Sequence, residues 1–145
     1  MLSAINNLNV GKQRTKGYQK AMNEAGLGPV VLESNRDNIE TTLKEYLANN
    51  KADAVIALDT DASFAVYKVA RELDKKIPKD IAVVGYVSER MAPYLSPELT
   101  TINQHSFTMG KTAATLLIEQ LESKDVNNQT IVINSTLSKL SLIHI

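Results

Sequence analysis

A doubly wound α/β fold, with a parallel sheet covered by helices on both faces, is the fold class this sequence predicts. Two patterns carry that prediction. Residues 29–33 (PVVLE), 52–58 (ADAVIAL) and 81–86 (IAVVGY) are strand-length, mostly apolar runs, as strands buried on both faces must be. Stretches of helical period separate them, which is the alternation of βαβ units around one parallel sheet. A third pattern bears on function. Polar residues gather just after each run, at the strand ends where open α/β sheets hold their ligands.

In chain order, residues 12–25 come first. Tyr18, Ala21, Met22 and Ala25 fall at helical spacing on one face, and Gly26 supplies a C-terminal cap. Gly17 within this helix costs up to about 1 kcal/mol, so close packing is expected there. After the run 29–33, Ser34 and Asn35 offer oxygens to start a second helix, whose stripe is Ile39, Leu43, Tyr46 and Leu47. The run 52–58 leads through Asp59-Thr60-Asp61 into the cleanest amphipathic pattern: Ala62, Ala65, Val66, Val69, Ala70 and Leu73.

Residues 75–80 (KKIPKD) make a turn, since Pro78 cannot continue a helix. The run 81–86 follows, and 99–104 reads as a fourth extended piece. Met109, Ala113, Leu116, Leu117 and Leu121 mark a last helix over 106–122, followed by a polar turn (125–129) and a strand (130–134, TIVIN). The chain opens on a helix with no strand before it, which reads as a truncated start.

At 145 residues the chain has the length of one domain and should bury about two-thirds of its unfolded surface. Sixteen basic residues balance sixteen acidic ones, so no net field favours nucleic acid or an anionic membrane. With no Cys, disulfides and thiolate chemistry are excluded. The first residues lack a signal-peptide pattern and no apolar run approaches bilayer length, so a cytoplasmic location without membrane contact is expected.

The strand ends read Glu33-Ser34-Asn35, Asp59-Thr60-Asp61, Val87-Ser88-Glu89 and Asn103-Gln104-His105. None holds a nucleophile with a base and an orienting partner, so no enzyme is expected. The set suits a polyhydroxylated or amide-rich small molecule, although each loop alone also reads as a helix cap or a polar turn. Arg14 is either a solvated surface residue or a fork-shaped donor for hydroxyls or a carboxylate. Met109-Gly110-Lys111-Thr112 mimics the tail of a phosphate loop, but His105 stands where its first Gly belongs. His105 and His144 have no partner at metal spacing, so neither metal nor cofactor is expected.

Several segments together carry a family resemblance. They are Arg14-x-x-Gly17-Tyr18-x-x-Ala21-Met22, the run from Ala52 to Ala57, the stretch from Ile77 to Tyr86 (IPKDIAVVGY), and Pro97 to Gln104 (PELTTINQ) with Met109-Gly110. The pair P-x-D-[IV]-x-V-x-G-[YF] and P-x-L-T-T-[IV]-x-Q is its most specific part. Over residues 8–139 the chain resembles the effector-binding domain of LacI/GalR-type transcription regulators.

The resemblance implies a periplasmic-binding-protein-like fold of type I, here incomplete and mostly the C-terminal lobe. It implies a sugar-like effector in an interlobe cleft, whose occupancy controls operator binding by a homodimer. Operator DNA would be reached only through a headpiece that this sequence lacks. Residue by residue, Arg14 matches the effector-binding arginine and Gln104 a cleft-lining Gln. Ser34 stands where an aromatic residue often stacks on the ligand, and Asp59 takes the place of an Asn or Asp. Two positions depart from the family. Val87 replaces an Asp that grips sugar hydroxyls, and Asp59-Thr60 replaces an Asn-Asp pair, so Asp61 and Ser88 are expected to help hold the ligand. Met91, Tyr94 and Leu95 resemble the dimer-contact loop.

The helix over 106–122 would belong to the other lobe, leaving the stripe from Met109 to Leu117 partly exposed. Residues 1–139 are thus read as a partial effector-binding domain and 140–145 as a non-native tail. A solute-binding protein feeding a sugar transporter, which shares the fold, is the alternative.

Overall fold

A computed structural model of the chain describes residues 1–88, 90–123 and 129–140. Its elements are β1 (Leu2–Ser3), α1 (Asn9–Glu24), β2 (Leu32–Glu33), α2 (Ile39–Asn49), β3 (Ala54–Ile56) and α3 (Thr60–Glu72). Then come β4 (Ala82–Gly85), a 3-10 turn (Ala92–Tyr94), β5 (Thr100–Asn103), α4 (Ser106–Glu122) and β6 (Thr136–Ser138). β1 pairs with β2, and β3, β4 and β5 pair in series, all parallel. A parallel bridge between Leu2 and Ala57 joins the two ladders, and the Leu58 amide donates to the Leu2 carbonyl at 2.9 Å. The strands therefore lie in the order β2-β1-β3-β4-β5-β6.

The step from β1 to β2 goes one way across the sheet, and the steps to β3 and β4 go the other. With right-handed crossovers, α1 then covers one face while α2 and α3 share the opposite one. α2 and α3 do pack on each other, burying Ile39, Leu43 and Leu47 of one and Ala62, Ala65, Val66, Val69 and Ala70 of the other. Leu2, Val55, Ile81, Val83 and Leu99 complete this core from the sheet. Each fully buried Leu, Ile or Val contributes about 1.5–3 kcal/mol. Ion pairs Lys44–Glu72 (2.8 Å) and Lys68–Glu40 cross between the two helices on the solvent side, where such pairs add little.

Two expectations about the strands are corrected. A strand does precede the first helix: β1 is only two residues long, too short to show a period, yet Leu2 is fully buried. The last strand is Thr136–Ser138, not 130–134. An apolar run becomes a strand only where an edge receives it. The free edge of β5 pairs with 136–138, leaving Ile131 and Val132 exposed. β6 is also antiparallel to β5, unlike the other pairs of the sheet. The turn expected at 125–129 lies, except for Gln129, outside the described residues. So do 141–145, while Leu140 packs against the core and its amide donates to Thr100 Oγ1 at 3.1 Å.

Glycine positions also differ from expectation. Nothing approaches Gly17, which sits on the exposed side of α1. The close contacts are at Gly11, where a Cβ would meet the Ile5 carbonyl oxygen at 2.1 Å, and at Gly85, where it would meet Ser63 Oγ at 2.5 Å. Gly85 lets α3 lie directly on β4 beside Leu99, which gives the glycine of the strand motif its physical reason. Gly85→Ala is expected to cost about 1–3 kcal/mol, read as a lower denaturant midpoint with unchanged slope.

α4 buries none of its residues. Met109 is 50% and Leu117 58% exposed, so the expected exposure of this stripe is seen, and Phe107, Ile118 and Leu121 extend it.

Candidate functional site

The ends of β1 and β3 are tied together by one buried carboxylate. Asp59, at the N-cap of α3, accepts from the Ala62 amide at 2.8 Å and from the Ala4 amide at 2.9 Å. It thereby fixes the start of α3 to the end of β1. Ser63, one turn on, donates from its hydroxyl to the Asp59 carbonyl (2.8 Å) and accepts from the Tyr86 amide (3.3 Å). Thr60 donates from its hydroxyl to the Tyr86 carbonyl at 3.1 Å. The ends of β1, β3 and β4 therefore form one hydrogen-bonded platform. Asp59 is 8% exposed with both oxygens engaged, so it shapes this platform from below.

Arg14, on α1, reaches across the platform. Its Nη1 donates to the Leu58 carbonyl at 2.5 Å and its Nη2 to Gln104 Oε1 at 2.6 Å. Its guanidinium carbon lies 3.8 Å from the centroid of the Tyr86 ring, a cation–π stack. Burial lowers the guanidinium pKa from its ordinary value, and Tyr86 and Asp59 act in the opposite direction. The side chain stays charged at neutral pH. The fork thus bridges β3 and β5 with an aromatic plate beneath it.

Two hollows flank this bridge. One, of about 330 Å³, lies over the ends of β4 and β5, lined by Thr60, Tyr86, Val87, Ser88, Arg90, Asn103, Gln104, Ser106 and Phe107. The other, of about 730 Å³, lies over the ends of β1 and β2, lined by Ala4, Asn6, Asn7, Glu33, Ser34, Asn35, Asn38 and Thr42. In the second, Asn6 Oδ1 is buried without a hydrogen-bond partner, an acceptor in want of a donor.

Of the residues singled out in the sequence, Thr60, Val87, Ser88 and Gln104 line the first hollow and Arg14 borders it through Gln104. Ser34 lines the second, its hydroxyl sharing a hydrogen with Thr42 Oγ1 at 2.9 Å. Asp61 accepts from Arg36 Nε at 2.8 Å. Val87 is buried, and its amide donates to Thr101 Oγ1 at 3.2 Å, so it contributes an apolar wall. Tyr86, Arg90, Asn6 and Arg36 were missed. Tyr86 reads in the sequence as the last residue of a strand, and Asn6 follows a strand too short to be seen.

Met91 and Tyr94 are exposed, at 43% and 84%, while Leu95 packs against the core. Their loop is pinned by Tyr67, whose hydroxyl donates to the Pro97 carbonyl at 2.8 Å and whose pKa is pushed up to about 12 by burial. A groove beside it, lined among others by Phe64, Tyr67, Tyr94 and Leu95, flanks the starts of β4 and β5, at the opposite ends of these strands from the two hollows. Among the described residues no group of three or more His, Asp or Glu side chains is arranged to hold a metal ion, and no helix is long and apolar enough to cross a membrane.

The periplasmic binding protein-like domain model matches residues 2–139. The HTH-type transcriptional regulator RegA of Clostridium saccharobutylicum is 29% identical over 137 residues, covering 90% of this chain and 41% of that protein. The HTH-type transcriptional repressor PurR of Photobacterium profundum is 30% identical over 135 residues, covering 87% of this chain and 40% of that one. The chain thus spans about two-fifths of these relatives. A ribose-bound LacI family transcriptional regulator from Enterococcus faecium superposes with a TM-score of 0.85 at 26% identity, covering 97% of this chain and 54% of that one.

Proposed function

We propose, from the premise that this chain belongs to the periplasmic binding protein-like domain family and to its LacI-type regulators, that it is the ligand-sensing part of a transcription regulator. The observation that carries the reading is the Arg14 bridge. A fork of donors, stacked on Tyr86 and shared between β3 and β5, stands at the strand edge where this fold class takes ligands. Hydroxyls suit such donors and the amide-rich hollow beside them, and ribose is the molecule held by the Enterococcus faecium protein.

The exposed apolar stripe of α4 suits a second lobe laid over the strand ends, enclosing the ligand between the two. Arg14, Ser34, Thr60, Asp61, Ser88 and Gln104 then hold the ligand, with Val87 as wall and Asp59 as the support beneath. Ligand occupancy shifts the complete protein between operator-bound and released states, a coupling of two sites with no chemical step. Met91, Tyr94 and Leu95 lie on the homodimer contact.

The test is a thermal-shift panel of neutral and charged pentoses, hexoses and their derivatives on the complete regulator. A true effector at a hundred times its Kd adds about 2.7 kcal/mol, which moves the melting temperature by several degrees. No shift with any sugar-like molecule counts against sensing. A complete protein that sediments as a monomer removes the dimer assignment.

A further inference from the structure

We infer that the effector carries a negative charge, a polyhydroxylated molecule bearing a phosphate or a carboxylate, and that Arg90 selects it. The inference rests on the sensing role proposed above and names the class of molecule sensed.

Among the described residues that line the hollow over β4 and β5, the one charged side chain is that of Arg90. Arg90 lines it and makes no hydrogen bond or ion pair with any described residue. Arg14 borders the same hollow through its contacts with Gln104 and Tyr86. No described residue lining the hollow is acidic. Asp59 lies below with both oxygens on backbone amides, and Asp61, paired with Arg36, does not line this hollow. Val87 adds an apolar wall where a carboxylate would have balanced the charge.

Electrostatics decides between a neutral and an anionic guest. A neutral sugar enclosed here would shield the exposed Arg90 guanidinium from water without a counter-charge from any described residue lining the hollow, which is costly. A phosphate or carboxylate gives that fork a bidentate, charge-assisted partner. The opposite hollow has the complementary character. It is lined by amides and hydroxyls together with the Glu33 carboxylate, and Asn6 Oδ1 beneath it is buried and unpaired. The ligand is therefore read with its anionic group over β4 and β5 and its hydroxyls over β1 and β2.

Titration calorimetry on the complete regulator tests this with ribose and glucose, ribose 5-phosphate and glucose 6-phosphate, and gluconate. At least one anionic compound is expected to bind about tenfold or more tightly than its neutral parent. That advantage should shrink as salt rises. The phosphate and carboxylate arms tell the two anions apart. Arg90→Gln, with an unchanged melting temperature as the control for folding, should bring the anion-to-neutral ratio close to one. Neutral sugars binding as tightly as every anionic partner overturns the proposal and leaves the sensing role standing, as does an undiminished ratio in Arg90→Gln. Binding by none of the compounds overturns both.

Discussion

Replacing Arg14 by Ala in the complete regulator is expected to abolish the effector response and leave operator affinity unchanged. The side chain makes two hydrogen bonds from a charged group and one stack, to Leu58, Gln104 and Tyr86. Charge-assisted bonds to a ligand are worth about 1.5–3 kcal/mol each. Losing the fork should therefore weaken effector binding by about a hundredfold or more. Arg14→Lys should rescue little, because an ammonium cannot span the Leu58 carbonyl and Gln104 while lying flat on a ring. The fold should survive, since Arg14 is only half-buried and the core lies among α2, α3 and the sheet. Calorimetry and an operator gel shift on the same preparation separate the two effects. An induction curve matching that of the unaltered protein would remove Arg14 from the site.

The sequence shows some of this arrangement and hides the rest for definable reasons. α2 and α3 are legible because each turns one uninterrupted apolar stripe to the core. β3 and β4 are legible because their runs are apolar throughout, although only Val55, Val83 and Gly85 in them are buried. β1 is hidden by its length and β6 by its neighbour, the more apolar 130–134, which has no edge to join.

The site divides the same way. Strand-end position alone points to Thr60, Ser88 and Gln104, because parallel strands deliver their C-terminal loops to one edge. What spacing cannot reveal is which polar side chain faces outward and which is consumed from below. Asp59 and Thr60 are neighbours in the chain, yet one is buried under two amides and the other lines the hollow. Nor can spacing reveal that an aromatic at the end of a buried strand, Tyr86, turns out to support an arginine from a helix 72 residues earlier, the difference between positions 86 and 14.

That division of labour predicts an opposite phenotype for Asp59. Asp59→Ala should lower stability first and effector affinity as a consequence. The substitution removes the N-cap of α3, worth about 1 kcal/mol. It also leaves the half-buried Ala4 amide without its acceptor, at a further cost of about 1–3 kcal/mol. A loss of about 2–4 kcal/mol is large against the total stability of a domain. Asp59→Asn should recover part of it, because Asn caps helices well but replaces one acceptor oxygen with a donor facing another donor. The platform that carries Leu58 and Thr60 loosens with the cap, so Arg14 loses a fixed acceptor and effector affinity falls as well. The order of effects is the informative measurement. Melting of the effector domain without ligand should drop in Asp59→Ala and hold in Arg14→Ala. If Asp59→Ala melts like the unaltered protein and loses only effector binding, the carboxylate contacts the ligand directly and does not act from beneath.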